Sequence, residues 1–402
     1  MKRRIKKSQF DNLDAMRFLA FLVIFLASAI FTSDGLIRGS NFYHDSTVFF
    51  SRISETAMSL AFILAAFLNS WAVFEERFIY KKLNVTRFYI RRLLTIVPVY
   101  LLIFLIGAWI LPKFDFGWLD DNQQCVDPLL YLTFLTNFSD FNLREPYSAV
   151  LGNMWSLAVY VQFIIVWPFM LRIFRKNEKV LFVITMLGFI ASAFFMSGKE
   201  NFRYSSLNIL CDIAIGSYLA YFSFYKYNFY QKLKSVTPRT IGTVYILFFV
   251  SFFLYNSFWS NHFGLPDEVI FIIRRIAYGL ALAFFIFEQN FVTKSVFKLS
   301  KLKIFDAPGR MVYGLYAYHA LAILIGVKIT EFMGFSQGVT TYVILPFLSL
   351  IIAFILAMFS YEFYEKRFIR QKSNYQPTRE YTPAILNNDN SSKGIENQTK
   401  PT

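Results

Sequence analysis

The chain has 402 residues, 56% of them apolar and 20% aromatic, and a net charge of +15. Charged residues make up only 17%, against about 25% in an ordinary soluble domain, and mean hydropathy is +0.43, which excludes a soluble globular fold. The basic excess does not indicate nucleic acid, because it sits in alternate loops between apolar runs and carries no aromatic-basic motif.

The first apolar run, residues 13–32, reads LDAMRFLAFLVIFLASAIFT. It is long enough to cross a bilayer, which needs about 20 residues. Asp14 and Arg17 stand at its edge, where charge is expensive and usually functional. A local (i, i+3) pair at the interface is the plainer reading. No small-residue cleavage site follows, so this run is expected to stay as a transmembrane helix. His44 falls in the first outer loop. The second span is expected at 57–74 and contains FILAAFL. The third, at 93–111, is opened by RFYIRRLLTIVPVY at 87–100. Arg91 and Arg92 there are suited to phosphates, because guanidinium groups donate in pairs and stay charged. Simple anchoring of the cytoplasmic end is the alternative.

The longest outer loop, 112–151, is acidic, with Asp115, Asp120, Asp121, Asp127, Asp140 and Glu145. It either covers an outward cavity or is merely solvated. Within it, residues 129–138 are apolar but too short to cross, so they are expected to re-enter or to lie on the surface. Spans follow at 152–174, 179–197, 205–225 and 240–257. His262 lies in a further outer loop. The span at 269–290 holds Arg274 and Arg275, expected to snorkel at the outer interface, and Glu288 towards its other end. Spans at 311–330, where His319 lies, and 339–362 complete the set. After residue 370 the chain turns polar and is expected to be a disordered cytoplasmic tail, 371–402.

The fold class expected is therefore all-α: a polytopic membrane protein of about ten transmembrane helices, over residues 1–370, plus one short re-entrant or interfacial segment. Loops on one face hold 29 of the 41 Lys and Arg residues, which places both termini in the cytoplasm. Cys125 and Cys211 are far apart and have no metal or redox spacing, so no metal site is expected. There is no internal repeat of the kind that transporters often show.

Four blocks carry a resemblance. LDAMR (13–17), RFYIRRLLTIVPVY (87–100), MWSLAVYVQFIIVWP (154–168) and GRMVYGLYAYH (309–319) resemble conserved stretches of the acyltransferase-3 superfamily of membrane O-acyltransferases. The third block is the most specific, matching at Trp155, Ser156, Leu157, Val159, Gln162, Phe163, Trp167 and Pro168. A weaker fifth match is CDIAIG at 211–216. The chain departs from the family in four places. Ser28 stands where the family keeps its catalytic His, eleven positions after Arg17. Tyr160 and Val161 replace a pair of acidic residues. Thr95 replaces an Arg, and Ala65 and Ala66 replace a Ser-Gly pair.

The resemblance implies transfer of an acyl group, often acetyl, from cytoplasmic acyl-CoA to a hydroxyl of an envelope glycan or lipid-linked sugar. Acyl-CoA, acetyl-CoA above all, would be a co-substrate rather than a tightly bound cofactor. Arg17, Arg91 and Arg92 would organise that donor. Ser28 occupies the catalytic position, and His319 or an outer-loop His would replace the lost base. The setting implied is a bacterial inner membrane, with the bilayer as partner and no nucleic acid. The lost proton-handling groups leave a second reading open: a non-catalytic descendant that serves as a binding or structural subunit with envelope protein partners. A transporter would use the same spans but lacks the repeat.

Overall fold

The computed structural model describes residues 10, 12–30, 32, 34–113, 127–138, 150–196, 202, 205–255, 259, 264–292, 294–334 and 337–375. Among them every regular element is helical. The main helices are α1 (Leu13–Ala29), α2 (Asn41–Tyr80), α3 (Val85–Leu105), α4 (Met154–Ile173), α5 (Glu178–Met196), α6 (Leu210–Tyr225), α7 (Tyr227–Lys234), α8 (Pro238–Phe253), α9 (Asp267–Phe291), α10 (Val312–Met333) and α11 (Leu345–Ser360).

Seven of the helical stretches are long and apolar enough to cross a membrane. The count is eight if α7 and α8, bent by 85° at their junction, form one broken span. Ten were expected. The difference lies in α1 and α6, of 17 and 16 residues. At 1.5 Å per residue each is about 25 Å long, short of a hydrocarbon core of about 30 Å. Residues 129–138 do not cross: Pro128–Leu132 is a single short helix.

The second span begins earlier than its hydropathy suggests. α2 runs for 40 residues from Asn41, so His44 sits exposed on its first turn rather than in a loop. The cause is local. Ser40 caps the helix, its hydroxyl accepting from the Tyr43 amide at 3.2 Å, and neither Gly nor Pro interrupts the next 40 positions. The helix stops where Lys81 turns into the left-handed region at φ 59°. Asn84 then caps α3 by accepting from the Arg87 amide at 3.1 Å.

The bundle is organised around α2. Its buried face, with Phe62, Ile63, Ala66, Phe67, Trp71 and Phe74, packs on α6, α1 and α9. Gly216 of α6 lies directly on α2: a Cβ there would run into the Ile63 carbonyl oxygen and press on Ala66. This explains why CDIAIG ends in glycine and why FILAAFL carries small residues. Such close backbone approach is how helices associate in a bilayer, where lipid tails are as apolar as leucine. Gly309 makes the same kind of contact between the turn before α10 and the Asp14 backbone.

One end of the bundle is fastened by polar side chains. Asn12 donates to the Gln289 carbonyl at 2.6 Å, and Gln289 donates to the Phe297 carbonyl at 2.8 Å. Lys298 donates to the carbonyls of Glu288 and Gln289. Burial lowers the Lys298 pKa from its ordinary value, and the nearby Glu288 carboxylate opposes that shift. Glu288 is fully buried and accepts from the Tyr245 hydroxyl at 2.6 Å. The basic stretch 294–303 is thereby held against α1 and α9.

Candidate functional site

A cavity of about 600 Å³ opens between the C-terminal half of α1, the N-terminal half of α2, and helices α6 and α9. Ser28 lines it. The α2 wall is a stripe of Thr47, Ser51, Ser54, Glu55, Met58, Ser59 and Phe62. These fall three or four residues apart, so one helix face presents them together. From α9 come Arg274, Arg275, Tyr278 and Leu282, and from α6 Asp212. Trp155, Asn153 and Tyr316 close the wall opposite.

Charge in this cavity is organised by pairing. Arg275 donates to Asp212 at 2.7 Å and also to the Ser59 hydroxyl. Asp212 is wholly buried, and its second carboxylate oxygen has no hydrogen-bond partner. The guanidinium groups of Arg52 and Arg274 lie 4.0 and 4.9 Å from the centre of the Tyr255 ring. Arg274 and Arg275 therefore both line the cavity. A buried carboxylate on α6 and the cavity aromatics hold them inward.

Ser28 is half-buried, and its hydroxyl donates to the Ile24 carbonyl of its own helix at 3.0 Å. Serine next to an apolar helix turn often spends its donor this way. It shares the cavity with Glu55 and Asp212, so carboxylates border the same space.

A second, smaller cleft of about 110 Å³ continues from the first towards the N-terminus of α1. Ile24, Met58, Phe62 and Tyr316 line both spaces and form the partition. Arg17 and Arg92 line the cleft with Tyr160 and Tyr313. Arg17 is paired with Asp14 at 2.9 Å, with both side chains about a third exposed. Tyr160 stacks on Tyr313, their hydroxyls 3.1 Å apart, so the first position of the missing acidic pair holds a phenol that faces the cleft. Val161 instead packs against Ile96 and Ile164. Thr95 donates to the Arg91 carbonyl at 3.3 Å.

The predicted residues thus separate. Arg17 and Arg92 share the cleft. Arg91 does not line it, but is held by Glu76 and by the Tyr375 carbonyl at 2.7 Å. His319 lines neither space. It is buried, with Nε2 3.1 Å from the Asn153 amide nitrogen and Nδ1 against the Tyr316 carbonyl. Its two neighbours, Asn153 and Tyr316, line the large cavity in its place. His262 and Cys125 lie outside the described residues, as do the acidic residues of the long loop apart from Asp127. Sequence reasoning missed Arg52, Glu55 and Asp212 as cavity residues. For Asp212 a signal existed, in CDIAIG. For Arg52 and Glu55 it was hidden, because the polar α2 stripe reads as loop when hydropathy alone marks spans.

A family model described as an acyltransferase domain matches residues 10–358 of the chain. No curated protein matches, and no solved structure does.

Proposed function

Because the chain belongs to the acyltransferase-3 family, we propose that it is a membrane acyltransferase whose donor and acceptor sites are the small cleft and the large cavity. The observation that carries this reading is their alignment. Arg17 on one side and Ser28 on the other lie eleven residues apart on α1, about 16 Å at helical rise. Ile24, Met58, Phe62 and Tyr316 border both spaces.

The donor is acyl-CoA, acetyl-CoA above all, with phosphates received by Arg17 and Arg92 at the cytoplasmic face. Guanidinium pairs suit this role. The pantetheine arm enters the cleft, and the thioester reaches the partition. The acceptor is a hydroxyl of an envelope glycan or lipid-linked sugar, bound in the large cavity on the opposite face. In the transfer the acceptor oxygen bonds to the acyl carbon, the C–S bond breaks and CoA leaves as a thiolate that takes up a proton; the acceptor hydroxyl must lose its own proton as it attacks, so a base must stand in the large cavity. Glu55 and Asp212 are the carboxylates that line it. The protein then sits in a bacterial inner membrane with both termini in the cytoplasm, residues 1–370 as one transmembrane domain and 371–402 as a tail.

One observation favours the non-catalytic alternative, a binding or structural subunit of an envelope complex: the Ser28 hydroxyl is committed to its own helix and has no imidazole partner among the described residues. The test is incorporation of label from acetyl-CoA into the lipid and glycan fractions of membranes that contain the protein. Label above that of membranes without it supports transfer. No incorporation by a folded protein that still binds acetyl-CoA supports the subunit reading.

A further inference from the structure

The charge in the large cavity specifies more than a hydroxyl acceptor. Among the described residues three arginines, Arg52, Arg274 and Arg275, line it against two carboxylates, Glu55 and Asp212, one positive charge in excess. Arg274 lies within electrostatic range of Arg52, Arg275 and Glu55 together. Like charges brought together at membrane depth are expensive and are kept where something uses them. Arg275 is committed to Asp212 and Ser59. Arg52 and Arg274 converge on one ring, that of Tyr255, which brings two planar guanidinium forks to the same wall of the cavity. Such forks match the oxygens of a carboxylate or phosphate.

The remainder of the wall suits a polyhydroxylated ring. Thr47, Ser51 and Ser54 form a row of hydroxyls along α2, and Trp155, Tyr255 and Tyr278 provide aromatic faces. Aromatic side chains with a polar tip combine apolar contact with hydrogen bonding. A cavity of about 600 Å³ is in the range that holds a ligand of this kind.

We propose that the large cavity selects an acidic sugar or sugar-like polyol, with its carboxylate or phosphate bound between Arg52 and Arg274. This rests on the reading of that cavity as the acceptor site. The acid group anchors the molecule on the α9 side, which leaves its hydroxyls to face α1 and the partition where the acyl group arrives.

The test uses the full chain in detergent, without acyl donor, so that it does not depend on catalysis. Binding of glucuronate, glucose 1-phosphate and glucose is measured by saturation-transfer NMR on wild type and on an Arg52→Gln, Arg274→Gln double variant. The Arg52→Lys, Arg274→Lys variant keeps the charge and guards against misfolding. We expect one or both anions to bind wild type and glucose to bind at least tenfold more weakly, with the better anion naming the acid group as carboxylate or phosphate. The Gln variant loses the preference by about tenfold or more, the effect of removing charge-assisted hydrogen bonds, and the Lys variant keeps part of it. Equal binding of glucose, no binding of either anion, or an unchanged preference in the Gln variant each overturns the proposal. Loss of acetyl transfer with anion binding intact would count against the catalytic reading alone.

Discussion

Asp212 of α6 holds Arg275 of α9 at 2.7 Å, across 63 residues of chain. The Asp212 side chain is wholly buried and that of Arg275 is 17% exposed. Removing one partner of such a pair leaves a charge buried without compensation. That usually costs about 3–5 kcal/mol, whereas replacing both by apolar groups is often neutral. Asp212→Ala should therefore lower the melting temperature in detergent sharply. An Asp212→Leu, Arg275→Met double variant should recover most of the loss. If the double variant melts no higher than Asp212→Ala, the pair is not the source of the stability.

The contact of Gly216 with the Ile63 backbone makes a second expectation. Backbone cannot yield as a flexible side chain does, so Gly216→Ala should force α6 away from α2 and cost about 1–3 kcal/mol, the usual range for overpacking. Gly242 of α8 is the internal control. A Cβ there meets nothing within 4 Å, and alanine is the better helix former by about 1 kcal/mol. Paired thermal melts should show opposite signs for the two substitutions; equal signs would mean that the α2–α6 contact is looser than the geometry indicates.

Much of this was legible in the sequence, and the gaps have physical causes. Apolar runs of bilayer length located the helices, because hydropathy is set by the hydrocarbon core. They did not locate the start of α2. Residues 41–56 are helical but polar, and hydropathy marks burial in lipid rather than backbone conformation. The same blind spot hid Arg52 and Glu55. The cavity partners of Arg274 and Arg275 were missed for a related reason: a cation near a span end reads as an interfacial anchor unless its partner is known, and Asp212 is distant in sequence. The family blocks pointed to Arg17, Arg92 and Ser28, and these line one or the other of the two spaces. They could not show that Arg91 and His319 turn away from both, since side-chain direction depends on neighbours such as Glu76 and Asn153.

That separation of Arg91 from Arg92 gives a third expectation. Both lie near the Phe88 ring, at 5.8 and 5.4 Å, but only Arg92 lines the cleft. Calorimetry with acetyl-CoA should show binding weakened by about tenfold or more in Arg92→Ala, as for a lost charge-assisted contact. Arg91→Ala should mainly reduce thermal stability through the orphaned Glu76. Equal losses of affinity in the two variants would place the donor phosphates outside the cleft, nearer Glu76 and Tyr375.

The position of Ser28 makes the catalytic question directly testable. Its side chain lines the large cavity, on the helix that also carries Arg17, and the family's base is a histidine at this place. Histidine is suited to the task because its ordinary pKa lies near working pH. Restoring it by Ser28→His removes only a hydroxyl bonded to the Ile24 carbonyl, at a side chain that already borders open volume. A positioned general base contributes about 10²–10⁴ in rate. If the cleft and cavity are a transferase site limited by the missing base, acetyl transfer by Ser28→His should exceed that of wild type by a large part of that factor. The gain should disappear when Arg92→Ala is added. A rate unchanged by the histidine, in a variant that melts like wild type and binds acetyl-CoA, would mean one of two things. A measurable wild-type rate would point to Glu55 or Asp212 already supplying the base. No rate in either protein would mean that the scaffold no longer brings donor and acceptor together.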